Sequence, residues 1–527
     1  MSQLYLFTQF SKWNRIVKMI VVLLAVLVIA IYYFGIRSHD YWDKKNVKHD
    51  PPVFLFGNNY KGFIGRQSFT EVANDLYNRF PNEKVVGFYR GSTPELYIRD
   101  PDIIRDVLNT DFAHFYPRGF GRNPKVEPLI ANLFQVDGDL WKLQRQRITP
   151  AFTTAKLKAM FPLVVRCAQR LQEVARDAAV RYEACDVREL MARFTTEFIG
   201  ACGFGVDTDT LGNEDSAFRN IGRMIFATPL PIVIKLMLWQ LFPPVRSFLH
   251  VANPKLRDAI FDLVKTVRKD RQYKPSGRND FIDLLLELES KGKIVGESVE
   301  HRNADGSPVI VDMEMDIKMM ASQVYVFFGA DFETSSFATS FLLHQLAFNP
   351  EIQTKIQSEI DEVLQKYDNK LCYDAVAEMT LLGMAFKEAM RMFPSLGVLN
   401  RVCARTYTFP ELGLTIDPGV KIVIPVEALQ NDEKYFDNPR EFRPERFSPE
   451  EVQKRHKYVY LPFGDGPRAC IGSRLGMMQS LAGLATVLQQ CSVSPASETQ
   501  RVPPVDSRSN IVQAVRGGLP LKLTNRR

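Results

Sequence analysis

The stretch Phe463-Gly464-Asp465-Gly466-Pro467-Arg468-Ala469-Cys470-Ile471-Gly472 decides how the chain is read. It fills all five fixed positions of the spacing F-x-x-G-x-R-x-C-x-G, which average residue frequencies would produce in about one chain of this length in several thousand. A cysteine alone says little, because most free cysteines are small buried hydrophobes. Its setting says more. Glycines let backbone approach a flat ring, an arginine can neutralise a carboxylate, and a helix opening after Gly472 points the positive end of its dipole at a thiolate. A haem whose axial ligand is sulfur needs these features. Cys470 is therefore the expected iron ligand, and Phe463, Gly466, Arg468 and Gly472 are the expected contacts of the cofactor.

The rest of the composition narrows the alternatives. The seven cysteines are odd in number and include no C-x-x-C, so neither a disulfide framework nor a zinc site is expected. The seven histidines include no H-E-x-x-H. Lys and Arg number 67 against 60 Asp and Glu, a net charge of +7 that is mild for 527 residues and does not argue for nucleic acid. Such a surplus suits a basic face that receives an acidic protein or an anionic membrane, or simply a soluble surface. A hydrophobic share of 46% excludes a disordered chain, and the length allows one very large core or two to three ordinary ones.

Three segments upstream of the cysteine loop bear on the same chemistry. Glu388 and Arg391 form E-x-x-R, one helical turn apart, and Pro444-Glu445-Arg446-Phe447 follows. An E-x-x-R alone is nearly worthless, since any exposed helix can carry such a pair. Trp141-Lys142-Leu143-Gln144-Arg145 puts an aromatic donor and a cation on one helix face. Ala330-Asp331-Phe332-Glu333-Thr334-Ser335 places an acid beside an alcohol inside a long helical pattern.

With these segments in this order the chain resembles a cytochrome P450 of the microsomal type found in insect detoxification families, and the resemblance runs from end to end. It implies a mainly α fold with a small β-sheet lobe and one N-terminal transmembrane helix, and thus a single catalytic domain. It implies haem b as cofactor, with Trp141, Arg145, Arg401 and Arg118 toward the propionates. It also implies a salt-bridged triad of Glu388, Arg391 and Arg446. Glu333 and Thr334 are the implied catalytic relay, carrying protons from solvent toward bound oxygen while the thiolate favours O–O cleavage. The family pattern has glycine where this chain has Asp331, so a carboxylate replaces a groove. Asp331 is either part of proton delivery or, as the blander expectation, turned toward the next helix and paired with a base.

Phe112, Phe120, Phe327, Ala330, Thr334, Leu396, Leu399 and Val515 are the expected substrate contacts, and their character implies an apolar small molecule; the resemblance adds plant toxins or insecticides as the implied class. No dinucleotide or phosphate-loop fingerprint occurs. NADPH and flavin are therefore expected only through a separate partner, which the resemblance implies is NADPH-cytochrome P450 reductase, in some members helped by cytochrome b5. Lys142, Arg147, Lys454, Arg455 and Lys457 flank the haem motifs and could make its docking face. Two other classes remain: a thiolate-haem protein that binds ligand or peroxide without monooxygenation, and a membrane-tethered binding protein without haem.

Residues 1–18 read as a tail and Met19–Ile36 as a membrane anchor, 18 uncharged residues that span ~27 Å as a helix. Tyr32 and Tyr33 mark one interface, and no small-residue cleavage site follows. A span of ~27 Å suits the thin endoplasmic-reticulum bilayer, and the basic residues on either side tilt the body slightly toward the cytoplasm. Residues 37–60, with Pro51-Pro52, read as a linker, and residues 61–527 as the haem-thiolate catalytic domain. The stretch Pro229–Pro244 is too short and broken to span a bilayer and reads as a core helix or an element dipping into lipid. A hairpin is expected between Lys84 and Asp100. Helices are expected at Pro101–Leu108, Leu140–Ile148, Ala155–Ala179, Leu256–Arg271, Met313–Ala347, Glu351–Lys366 and Met384–Met392. The glycine-rich run Lys291–Asp312 is expected to be a flexible surface loop.

Overall fold

The computed structural model describes residues 2–526 apart from 182–183, 207, 214–215, 227–228, 243–252, 279 and 510. Pro243 and Pro244, the far end of the second apolar stretch, thus lie outside the described residues.

The fold is mainly helical and is organised around one long element, Ile317–Ala347. It starts where Asp316 caps it, the side chain accepting from Met319 N at 2.7 Å, which satisfies a donor the helix start leaves unpaired. Its C-terminal half is buried on every side although it is rich in Ser and Thr. Those hydroxyls are satisfied on the helix itself: Thr334, Ser336 and Thr339 each donate to the carbonyl four residues back, at 2.7 Å. Back-bonding of this kind lets a polar sequence occupy a core. The helices Val187–Phe198, Pro254–Asp270, Thr380–Met392 and Ser473–Gln490 pack around it.

A small β lobe stands apart. Val85–Arg90 and Thr93–Ile98 form an antiparallel hairpin turning at Gly91, which has φ 60°. The second strand then pairs in parallel with Lys421–Ile424, which pairs antiparallel with Leu399–Val402. This sheet carries Leu399 and Arg401 toward the cysteine loop. A second sheet joins Cys491–Pro495, Pro520–Asn525 and Ala184–Asp186, with Gly517 and Gly518 at positive φ before its middle strand.

Most expected helices are present, and the differences are instructive. Residues 2–36 form a single helix, so tail and anchor are continuous. The run taken as a flexible loop is a hairpin, Lys293–Arg302 against Pro308–Glu314, with its turn at Gly306. It is ordered by packing on the Trp141 helix, Gly138–Ile148: Ser298 Oγ donates to Asp139 at 2.7 and 2.8 Å, and Arg147 Nη2 donates to Val295 O at 3.1 Å. Periodicity cannot reveal an anchor supplied from elsewhere in the chain.

Candidate functional site

The cysteine loop is held by its own backbone. Cys470 N donates to Phe463 O at 2.9 Å and Ala469 N to Gly466 O at 3.0 Å, and Gly464 and Gly466 have φ of 67° and 74°. The reason for Gly466 differs from the expected approach to a ring. A Cβ there would lie 1.8 Å from the carbonyl oxygen of Leu108, so protein backbone already fills the space. Gly472 caps the helix Ser473–Gln490, and its N–H donates to the Cys470 sulfur. The helix start thus faces the thiol with one bond and a positive dipole end, both favouring thiolate.

Cys470 is the exposed member of the seven cysteines, yet desolvation by surrounding protein raises its pKa. Both hold if the sulfur faces an interior space. Ala330 tells the same story from the other side: it is exposed in the middle of a helix whose neighbours Phe328 and Phe332 are buried.

Around this space three buried guanidiniums gather near one carboxylate, Asp137, which bonds directly to that of Arg468. Arg468 donates to Asp137 Oδ1 at 2.8 Å and to Val136 O, and lies over the Trp141 ring at 4.3 Å. Arg118 donates to Phe134 O and Arg468 O at 3.0 Å, while its backbone N and that of Gly119 donate to Asp137. Arg401 reaches only its neighbour's carbonyl, Asn400 O, at 2.8 Å. Burial lowers all three pKa values, to about 10 for Arg118, about 9 for Arg468 and well below the ordinary range for Arg401, and neighbouring cations add to the lowering of each. Arg401 Nε and Arg468 Nε and Nη1 are buried without a partner among the described residues. Unpaired buried donors on cations are costly. Positive charge in this cluster exceeds that of its one carboxylate, Asp137, and the propionates of a haem would compensate the excess. The residues present therefore fit a haem, with Cys470 as ligand and Arg118, Arg401 and Arg468 as carboxylate partners. Arg145 does something further: its Nη1 donates to Ala469 O at 2.8 Å, bracing the loop beside the cysteine.

The triad residues lie deeper. Arg391 Nε donates to Glu388 Oε2 at 2.7 Å and Arg446 Nε to Glu388 Oε1 at 3.2 Å, all three being buried. Arg391 also donates to Gln430 O and Pro439 O, and Arg446 to Asn438 O. The triad thus fastens the helix Thr380–Met392 to the irregular segment before the cysteine loop.

On the long helix, Thr334 Oγ1 donates to Ala330 O, whereas Glu333 is engaged by Arg188, on the helix Val187–Phe198. Arg188 carries no sequence motif and only the folded arrangement reveals it. Among the described residues Asp331 is paired with no base. Its Oδ1 accepts from Ser335 and from Gln479, a neutral residue of the helix after the cysteine.

Of the expected substrate contacts, Ala330 opens on the interior space. Leu396 and Val515 are brought to adjoining segments by the bond from Gln513 N to Ser395 O, 2.9 Å, and Leu399 lies against Gly464 of the cysteine loop. Phe120 packs on Phe134, centroids 5.2 Å apart. Phe112 packs on Trp141 at 5.6 Å, and Phe327 stacks on Phe281 at 4.4 Å and 12°.

Residues 48–521 match the family model for cytochrome P450. The chain is 36% identical to cytochrome P450 6a2 of Drosophila melanogaster, covering 96% of this chain and 99% of the relative. It is 34% identical to cytochrome P450 6B2 of Helicoverpa armigera over 96% and 98%, and 35% identical to cytochrome P450 6B1 of Papilio polyxenes over 90% and 94%. Taken with a cysteine loop and a cation cluster that fit a haem, these matches establish that the chain belongs to the cytochrome P450 family and is a haem-thiolate monooxygenase.

Proposed function

We propose that this enzyme inserts one atom of O2 into lipophilic xenobiotics such as plant toxins or insecticides. In this reading it sits at the endoplasmic-reticulum membrane, its body faces the cytoplasm, and NADPH-cytochrome P450 reductase supplies electrons from NADPH, with cytochrome b5 as an accessory donor. The family itself implies a redox partner and lipophilic substrates. The observation that carries the reading is the unbalanced Arg118, Arg401 and Arg468 cluster beside a thiol that faces interior space.

Bound haem supplies the redox chemistry of oxygen activation. The chain's residues do the rest. Burial pushes the Cys470 thiol up, and the Gly472 N–H and the charges of Arg118 and Arg145 act against that rise, in the direction of the thiolate an iron would bind. Glu333 holds a proton-exchanging carboxyl at the Arg188 ion pair, and Thr334 presents a hydroxyl one residue along. Ala330, Leu396, Leu399 and Val515 give the substrate an apolar wall.

The apolar helix Arg15–Ile36 supports a membrane location. Tyr32 stacks on Phe54, and Phe54, Tyr60 and Ile64 are exposed nearby. The helix Leu230–Leu241 adjoins this patch through Asn59 and Gln240, and its Ile234 and Leu238 are exposed. That favours contact with lipid over a core helix.

The test is reconstitution in vesicles with reductase and isotope-labelled O2. Product carrying one labelled atom, dependent on NADPH, supports the proposal, and ligand binding or peroxide use without labelled product across a lipophilic panel sinks it.

A further inference from the structure

Asp331 stands between Ala330 and Glu333 on the long helix, and unlike Glu333 it has no cation among the described residues. Its Oδ1 accepts from Ser335 Oγ at 3.0 Å and from Gln479 Nε2, which also reaches Ser335 Oγ at 3.0 Å. Its Oδ2 is shut off from solvent without a hydrogen-bond partner, and so is Oε1 of Gln479. Every donor to the carboxyl is neutral, so a full negative charge there is poorly compensated. Burial pushes the carboxyl up to about 7, against the bonds from Ser335 and Gln479.

The location gives this consequence. Gln479 belongs to the helix capped by Gly472, two residues after Cys470, so Asp331 joins the two helices that bracket the cofactor space. Burial raises the pKa of the Cys470 and Cys202 thiols, and the charge of Asp331 adds to the rise at both. The other charged groups around these thiols are engaged or act oppositely: Arg118 and Arg145 lower the Cys470 pKa, Glu333 pairs with Arg188, and Asp280 pairs with Arg271.

We propose that Asp331 is a proton-linked electrostatic residue of the haem site, taking up one proton at Oδ2 when the iron accepts an electron and releasing it on reoxidation. The inference rests on the haem-thiolate assignment. The electron comes from the redox partner and the proton from solvent. One O–H bond forms at Oδ2 and no other bond changes. Reduction adds a negative charge to the site, and an uncompensated carboxylate nearby opposes it. Protonation of Asp331 relieves that opposition. Well below neutral pH the carboxyl is protonated in both states, and well above it is ionised in both. Through the window around and above 7 the reduction potential therefore falls as pH rises, then levels off.

The experiment is an equilibrium redox titration of the holoprotein from about pH 6 to about pH 9, a range that brackets the raised carboxyl. The wild type is expected to lose potential with pH. In Asp331→Asn the potential should be flat over the same range and higher than wild type at the alkaline end. Asp331→Gly should behave likewise and serves if the Asn variant folds poorly. A reduced-minus-oxidised infrared spectrum of the wild type should gain a protonated-carboxyl band that Asp331→Asn lacks. A slope kept in both variants, or no such band in the wild type, overturns the proposal. The carbon monoxide spectrum of the same reduced samples tests Cys470 separately, so failure of the ligand assignment is distinguishable.

Discussion

Arg188 donates through Nη2 to Oε1 of Glu333 and through Nη1 to Oγ of Ser336, fixing the acid of the acid-alcohol pair from a different helix. Glu333 and Thr334 are adjacent in sequence but are held by separate partners, Arg188 and the Ala330 carbonyl. In the proposed relay, a proton passing between them would depend on both restraints.

Glu333→Gln keeps the shape and removes the acid, so product formation should fall by about 10²-fold. Arg188→Ala leaves the acid but unties it. We expect a loss of about tenfold, with the missing electrons appearing as peroxide, because small misplacements are costly in proton transfer. Arg188→Lys should recover part of the coupling. Product formed per NADPH consumed is the measurement, and wild-type coupling in Arg188→Ala would exclude a role for the pair.

The cation cluster separates cofactor binding from protein stability. Arg401 is 3% exposed and its Nε has no partner among the described residues, so in the apoprotein it is a liability. Arg401→Leu should leave apoprotein melting unchanged or raised. The same change should weaken haem retention by about tenfold to a hundredfold, the value of one hydrogen bond to a charged group. Haem transfer to an acceptor protein reads the second effect and differential scanning the first. Equal destabilisation of both forms would show that Arg401 serves the fold alone.

The Glu388 triad should behave in the opposite way. Glu388→Ala strands Arg391 and Arg446, both buried, and loss of one member of such a network costs about 3–5 kcal/mol. Denaturant unfolding of the variant should show that loss whether or not haem is bound. Lys44→Ala removes an ion pair with Asp40 that is exposed on both sides, and its midpoint should not move.

These residues also show what the sequence could and could not reveal. Cys470, Glu388 and Arg446 lie in short fixed spacings, because a tight loop or a single helical turn brings the chemistry together locally. Asp137, Arg188 and Gln479 have no such spacing. Each acts across elements far apart in the chain: Asp137 on Arg468, Arg188 on Glu333, Gln479 on Asp331. The stack of Phe327 on Phe281 likewise joins elements far apart in the chain and has no signal in the sequence. The hairpin Lys293–Glu314 reads as a loop because its anchors, Asp139 and Arg147, come from another helix.

That hairpin has a consequence for the redox partner. It covers part of the helix Gly138–Ile148, which also braces the cysteine loop through Arg145, and it brings Glu297 to 3.9 Å from Lys142. The other basic residues expected to dock a partner are engaged too. Lys457 pairs with Asp465 at 2.8 Å and Lys454 with Glu451 at 2.7 Å, while Arg455 lies over Phe436 and Phe447. Glu297 is 63% exposed, so its pair with Lys142 contributes little to stability and is easily exchanged for another acid. Glu297→Gln should release Lys142 to an incoming acidic surface and speed the first electron transfer by about two- to threefold at low ionic strength. The gain should vanish at high salt, where the Debye length is short, and the melting temperature should stay at the wild-type value. Stopped-flow reduction by the reductase across a salt series reads this directly. A gain that persists at high salt would point to a shape change in the hairpin instead of an exchange of charge partners.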